Sequence, residues 1–404
     1  MFKCRSCDSE NIKSIIPLGE LPLANALLPS SVAINEPRHN LEVMLCEDCG
    51  LAQLHDEIDP AELFSDYVYF SSNSDTMLKS VADLLEHLVP SLPENAFVIE
   101  IASNDGYLLK NYIRHNINAL GIDPAQNIAK VANENGIPTL CDFFGENLAL
   151  SLASEGKQAD IIHANNVMAH VPNINGFIAG IKHLLKPKGR AIIEVPYFMD
   201  LFEKLEFDTI YHEHVYYFSV KPLQIAFERH GLELFDIEKI AMHGGTLRLY
   251  VGHKDAYALQ PIVSEMITKE ESFGLYEAAS FNEFMSKLAT LKENLIALLS
   301  NLKKDGAQIA AYGASAKGTT LLNYFGITSE TIDFVVDRSV VKHGLYTPGT
   351  YLEIKTPSAL IDAKVTHALL LSWNFAEEII SQQQEFIMKG GKFIVPLPEV
   401  KIVP

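Results

Sequence analysis

The sequence predicts an α/β fold: two parallel-sheet domains behind a small cysteine-bearing N-terminal part. Three observations in its 404 residues carry that prediction. Short apolar strand runs alternate with helical patterns from Phe97 to Val251, the same alternation resumes at Ile309, and two Cys-x-x-Cys pairs fall near the N-terminus. A chain of this length exceeds one typical core, so two or three domains are expected. The pattern changes place them at residues 1–74, 75–253 and 254–404.

The elements follow in order. Residues 1–74 hold the cysteine pairs, the turn-like Leu21-Pro22-Leu23-Ala24-Asn25 and a Tyr/Ser-rich stretch from Tyr67 to Ser74. Met77, Val81, Leu84, Leu85 and Leu88 repeat at helical spacing, and Pro90 and Pro93 close that helix. Buried strands are predicted at 97–101, 119–123, 160–164 and 189–195, separated by helical segments. Leu232–Ile237 and Thr246–Val251 read as two further strands around the turn His243-Gly244-Gly245-Thr246. A helical stretch covers about 256–304, after which strands recur at Ile309–Gly313, Ile332–Asp337, Leu369–Leu371 and Phe393–Val395.

Composition narrows the function class. The chain is 48% hydrophobic and 21% charged, as ordinary globular proteins are. A formal net charge of −19 would repel a nucleic-acid backbone, so nucleic acid is not an expected partner. Met1-Phe2-Lys3-Cys4 opens no apolar signal segment, and no run approaches the ~20 apolar residues that span a bilayer. A cytoplasmic protein with no membrane partner is expected.

In a reducing compartment, Cys4-x-x-Cys7 and Cys46-x-x-Cys49 favour thiolate coordination of Zn2+ over disulfides. Four sulfurs fill a tetrahedral site, so this zinc would be structural. Cys141 reads as a buried small residue and not as a nucleophile.

The turn after the first central strand is Glu100-Ile101-Ala102-Ser103-Asn104-Asp105-Gly106. Small residues there let backbone approach a ligand closely, but Ala102 and Asn104 replace the usual glycines of a pyrophosphate site. The turn suits S-adenosylmethionine, which carries no phosphate. Asp123 ends the next strand, where a carboxylate can accept from ribose hydroxyls. Asp142 and Phe143 follow the next short stretch of chain, before the strand at 160–164, and are placed to meet adenine, with Asn165 and Asn166 at a later strand end. Then comes Tyr211-His212-Glu213-His214: a phenol, two imidazoles and a carboxylate. Such a set can take a proton from carbon and steady the resulting charge.

Taken together, the cysteine pairs, Leu21–Asn25, Tyr67–Ser72, Glu100–Gly106, Ala164-Asn165-Asn166-Val167, Tyr211–His214, His243–Thr246 and Tyr312-Gly313-Ala314-Ser315-Ala316-Lys317-Gly318 make the chain resemble the C-methyltransferases of nucleotide-linked 4-keto-6-deoxy sugars. The resemblance covers nearly the whole length. It implies a zinc-binding N-terminal domain, a central class I S-adenosylmethionine-dependent Rossmann-like domain and a C-terminal Rossmann-like domain that helps hold the nucleotide sugar. It further implies methylation at C3 of the sugar, beside the C4 ketone.

On that reading His214 is the expected base, because neutral imidazole titrates near physiological pH. Tyr211 would donate to the enolate oxygen or place the sugar, and Glu213 would orient an imidazole or share in proton transfer. Tyr67 and Tyr69 compete for the tyrosine position the resemblance implies. His212, His243 and Asn166 are substrate-site candidates, as are Ser315 and Lys317, whose ammonium and neighbouring backbone N–H groups would meet the sugar diphosphate. Asp337, at a strand end, is either a nucleotide contact or a cap. The rival readings are an O- or N-methyltransferase on a nucleotide sugar, or an NAD-dependent oxidoreductase, which the missing glycine fingerprint disfavours.

Overall fold

A computed structural model describes residues 2–30, 36–59, 63, 71–73, 75–240 and 244–404. Its strands form three sheets. In the first, β1 (Ile12–Pro22), β2 (Arg38–Cys46) and β3 (Ala52–Leu54) run as an antiparallel meander. The sequence reading placed no strands here, because the chain is interrupted by bulges between Ser14 and Ile16 and between Pro17 and Gly19.

The central sheet has the order β10-β11-β8-β7-β4-β5-β6. β4 (Phe97–Ile101), β5 (Asn118–Ile122), β6 (Thr139–Leu140), β7 (Ala159–Asn165) and β8 (Leu185–Pro196) are parallel. The chain steps outward from β4 to β6 and returns to the other side of β4 as β7. That reversal opens a crevice at the carboxyl ends of β4 and β7, where ligands of such sheets bind. Beyond β8, β11 (Thr246–His253) pairs antiparallel with both β8 and the edge strand β10 (Leu232–Ile240). A buried ion pair, Arg248 Nε to Glu194 Oε1 at 2.8 Å, ties β11 to β8.

The third sheet runs β14-β13-β12-β15-β16-β17: β12 (Ile309–Tyr312), β13 (Val335–Val336), β14 (Ile354–Lys355), β15 (His367–Leu370) and β16 (Lys392–Val395) are parallel, and β17 (Lys401–Val403) is antiparallel. The helical stretch before it is two helices, Pro261–Phe273 and Ala278–Lys304. Gly274 ends the first at φ 74°, a left-handed cap that glycine adopts without steric cost. The second helix buries Phe281, Phe284, Leu288, Leu291, Leu295 and Leu299, one stripe at spacings of three and four. No helix of the described residues is long and apolar enough to cross a membrane.

The N-terminal sheet is completed from far along the chain. Its fourth strand, β9 (Tyr216–Tyr217), pairs with β3 through Ala52↔Tyr217 and Gln53↔Tyr216, and Leu54 N–H donates to Val215 O at 2.8 Å. The sheet's other end is tied at the cysteines. Cys4 and Cys7 sit before β1, while Cys46 ends β2 and Cys49 lies in the turn to β3.

The Sγ atoms of Cys4 and Cys49 are 3.6 Å apart, those of Cys7 and Cys46 3.5 Å, and all four lie within 4.8 Å of one another. A tetrahedral ZnS4 site with Zn–S near 2.3 Å needs sulfurs ~3.8 Å apart, so the quartet fits Zn2+. Without a cation, burial pushes the Cys7 thiol up to about 11. A bound divalent ion reverses that balance and holds the sulfurs as thiolates.

Because the cysteines and β9 belong to one sheet, losing the metal should be felt more than 150 residues away in sequence. Cys46→Ser is expected to lose one equivalent of zinc by elemental analysis and to raise amide exchange in β1–β3 and at Tyr216–Tyr217, sparing β4 and β7. Unchanged protection at β9 in the metal-free protein would show that the zinc does not support that strand.

Candidate active site

The first element of the site is the turn after β4. Ala102 (φ 54°), Asn104 (φ 50°) and Gly106 (φ 77°) all adopt left-handed backbone, so two side-chain-bearing residues hold the geometry that glycine usually supplies. The Asp123 carboxylate steadies it: Oδ2 accepts from Asn104 N–H and Oδ1 from Ala125 N–H, both at 2.9 Å. Asn104 Oδ1 in turn accepts from Ser71 N–H at 2.8 Å. Asp123 was expected to meet ribose hydroxyls; each oxygen retains a second lone pair for that purpose.

Glu100 is almost fully buried, and burial, then the charges of Asp123, Asp105 and Glu194, hold its carboxyl well above the ordinary range. Glu100 Oε2, Ser103 Oγ and Asp105 Oδ1 are buried without hydrogen-bond partners. Orphaned acceptors crowded around a left-handed turn fit a cationic ligand with ammonium and hydroxyl donors, as S-adenosylmethionine is. Asn165 Oδ1 is likewise unpartnered, while its Nδ2 lies 3.4 Å from the Tyr107 hydroxyl. Asn166 has left-handed φ 53° and donates its N–H to Glu194 O at 2.9 Å, a backbone role at the end of β7. Asp142 and Phe143 are exposed beyond β6, and Asp142 Oδ1 accepts from Phe143 N–H at 2.8 Å.

The second element is the segment from Glu206 to Tyr217. His214 Nδ1 lies 2.8 Å from Thr209 O, and a carbonyl can only accept, so Nδ1 carries the proton. In the neutral ring, Nε2 therefore holds the lone pair, and the Tyr211 hydroxyl donates to it at 2.7 Å. Both side chains are half-buried, and their ring centroids are 4.0 Å apart. His170, which the sequence reading did not single out, packs its ring edgewise on His214 with centroids 4.7 Å apart. Enclosure lowers the His170 pKa to about 4, so it stays neutral.

Glu213 is buried, with its carboxyl pushed up to about 7 by burial although Asn25 Nδ2 donates to its Oε1 at 2.7 Å. His212 turns the other way. It is buried against the N-terminal sheet, Nε2 3.2 Å from His39 O, and burial lowers its pKa to about 4. The structure thus separates His212 from Tyr211 and His214, because a turn closed by His214 N–H to Tyr211 O at 2.9 Å brings its first and fourth residues together and leaves the second pointing away. Tyr67, Tyr69 and His243 lie outside the described residues.

The third sheet meets this segment directly. Ser315 caps the helix Ala316–Phe325, its side chain accepting from Gly318 N–H at 3.2 Å. Lys317, expected at a sugar diphosphate, instead turns inward: its Nζ lies 4.7 Å from the Trp373 ring centroid, and the charges acting on it are Asp208 and Glu206. Trp373 Nε1 donates to Asp208 Oδ2 at 2.6 Å. The physical reason is charge: a lysine withdrawn from water is favoured beside two buried acids, whose ionised forms it stabilises. Asp337 serves as a cap, accepting from Ala314 N–H at 2.8 Å and Ser339 N–H at 2.7 Å. Glu206 and Asp208 were missed in the sequence, where their only signal is acid flanked by Phe207 and Ile210.

Comparison with known proteins finds three successive family matches along the chain. Residues 4–64 match the family described as "Putative zinc binding domain", residues 75–237 "Methyltransferase domain" and residues 241–398 "C-methyltransferase C-terminal domain". The C-methyltransferase NovU of Streptomyces niveus is 33% identical over 405 residues, covering 99% of this chain and 96% of the relative. A ubiquinone biosynthesis O-methyltransferase of Bartonella tribocorum is 31% identical over 97 residues, 24% of this chain and 39% of that one. Among solved structures, the PH0226 protein of Pyrococcus horikoshii OT3 aligns with 49% of this chain and 100% of its own at 14% identity and a TM-score of 0.37, a likeness too slight to argue from. The full-length match and the three successive domain matches place this chain in the C-methyltransferase family, as an S-adenosylmethionine-dependent enzyme with a zinc-binding N-terminal domain.

Proposed function

We propose that the enzyme methylates C3 of a nucleotide-linked 4-keto-6-deoxyhexose in the cytoplasm, by way of an enolate, in branched deoxysugar biosynthesis. The observation that carries the reading is the tautomer of His214: with Nδ1–H held by Thr209 O, the Nε2 lone pair is aimed at Tyr211 and ready to take a proton. Hydrogen on carbon beside a ketone is acidic enough for such a base, because the charge left behind spreads onto the carbonyl oxygen.

In this scheme His214 Nε2 removes the C3 proton, and Tyr211, released from His214 as the substrate enters, donates to an oxygen of the sugar. Glu213, held by Asn25, titrates close to neutrality and can take part in proton movement. S-adenosylmethionine supplies the methyl group as an electrophile. The chain's part is to hold it, through Glu100, Ala102, Ser103, Asn104, Gly106, Asp123 and Asn165, with Asp142 and Phe143 at the open edge. Fixing both reactants in line supplies on the order of 7–11 kcal/mol of the barrier. We assign these tasks to the units 75–253 for the cofactor, 254–404 for the nucleotide sugar, and 1–74 for support of the reacting loop.

A panel of nucleotide 4-keto-6-deoxyhexoses incubated with enzyme and cofactor should yield a product heavier by one methylene. In deuterium oxide, C3 should exchange. His214→Ala and His214→Asn are expected to bind cofactor normally and lose ~10²–10⁴ in turnover; undiminished turnover in both would remove His214 from the mechanism. Asp123→Ala should weaken cofactor binding about tenfold or more by calorimetry while zinc content holds, since it also frees two backbone donors. Affinity unchanged in that variant would show that Asp123 does not shape the cofactor turn.

A further inference from the structure

We propose that Glu206 is a substrate-contacting acid: its carboxyl donates a hydrogen bond to one oxygen of the substrate, seated in the recess that Glu206 shares with His214. The inference rests on the carbon-acid reading above and adds a group to it.

Glu206, Thr209, His214, Tyr217, Pro196 and Phe198 line this recess, whose volume is about 20 Å³. That is room for one water-sized group, so it admits a single oxygen and not a sugar ring. The polar atoms around it are poorly satisfied. Glu206 is only 4% exposed, yet its Oε1 has no hydrogen-bond partner, and the Tyr217 hydroxyl finds no acceptor. Thr209 Oγ1 is already spent on Glu206 O at 2.6 Å, and both His214 nitrogens are engaged. A buried carboxyl left unpaired costs about 1–3 kcal/mol or more, and such a group at a site's edge calls for a ligand.

The surroundings decide what the carboxyl can offer. Gly244, at φ 100°, presses its backbone so close to Glu206 that a Cβ there would lie 2.3 Å from Oε1, which shields the acid from water. The charged groups acting on Glu206 are Lys317, Lys204, Asp208 and Asp200, with His214 across the recess. Lys204 spends its ammonium on Gly244 O and, at 3.4 Å, on Asp200 Oδ2. Burial outweighs the two lysines and lifts the Glu206 carboxyl to about 7. Below that pH the group keeps its proton and can donate; above it the donor becomes an acceptor and repels a developing enolate. A carboxylic acid held neutral in an apolar pocket serves as an oxyanion donor by this means. His214 on the same recess would take the proton from carbon while Glu206 meets the oxygen on which the charge collects.

The test uses full-length zinc-loaded enzyme, a ketosugar turned over by wild type, and two readouts: deuterium exchange at C3 and the pH profile of turnover. Glu206→Ala should lower exchange about a hundredfold, the scale of one lost oxyanion donor, with cofactor affinity unchanged. Glu206→Gln keeps a donor but cannot ionise, so it should retain most of the rate at pH 6 and lose the fall in rate above about pH 7. A merely structural role would not move that limb. Exchange within threefold of wild type in Glu206→Ala, or an unaltered alkaline limb in Glu206→Gln, overturns the proposal. If Glu206→Ala does not fold, the Gln profile decides alone. Wild type that neither exchanges nor methylates any ketosugar overturns the carbon-acid reading itself, and Glu206 with it.

Discussion

Three carboxyls withdrawn from water within eight residues, Glu206, Asp208 and Glu213, govern how this protein is assembled. Each draws a partner from a distant part of the chain. Glu213 is met by Asn25 from the N-terminal sheet, and Asp208 by Trp373 from the third sheet. Lys317, also from the third sheet, supplies positive charge beside Glu206 and Asp208. An unpaired buried acid is costly, so the segment from Glu206 to Tyr217 reaches low energy only when all three sheets are docked around it. Thr320 Oγ1 adds a hydrogen bond to Ile210 O at 3.2 Å, and β9 carries the loop's far end into the zinc-bearing sheet. The candidate site is therefore a product of assembly, with His214 and the three buried acids on one short stretch and their polar partners on two others.

The cofactor turn obeys a different constraint. Its shape is set by left-handed backbone at Ala102 and Asn104, which costs energy for residues bearing a side chain. Asp123 and Ser71 hold that shape with two hydrogen bonds to Asn104, one to its backbone N–H and one to its side-chain Oδ1, while Ala125 N–H fixes the Asp123 carboxylate. The Asn104 side chain thus does something glycine could not: it links the turn to Ser71. Electrostatics then favour a cation, because Glu100, Asp105 and Asp123 share one low-dielectric corner and raise the energy of Glu100's charge. A sulfonium with an ammonium at hand relieves that crowding, whereas a pyrophosphate would aggravate it.

Much of this was legible in the residues themselves. Strand and helix periodicity located most of the parallel strands, since a strand buried on both faces is a run of apolar residues whatever surrounds it. The paired Cys-x-x-Cys turns announced their metal because ligand spacing is local chemistry. The left-handed turn after β4 and the pairing of Tyr211 with His214 involve residues that type and order had already singled out. Local signals failed where the outcome depends on distant partners. Nothing in Tyr216–Tyr217 says that it closes a sheet begun 200 residues earlier. Lys317 looks like a phosphate ligand until the third sheet packs its helix against Asp208 and Glu206. His212, between Tyr211 and His214, faces away because the turn that joins those two leaves its second residue to pack on the N-terminal sheet. Sequence determined the elements, the metal ligands and the family of chemistry, all carried by neighbours in the chain. Tertiary structure alone decided which titratable groups face one another and which of them keep their protons, because burial and opposing charge are properties of the packed whole.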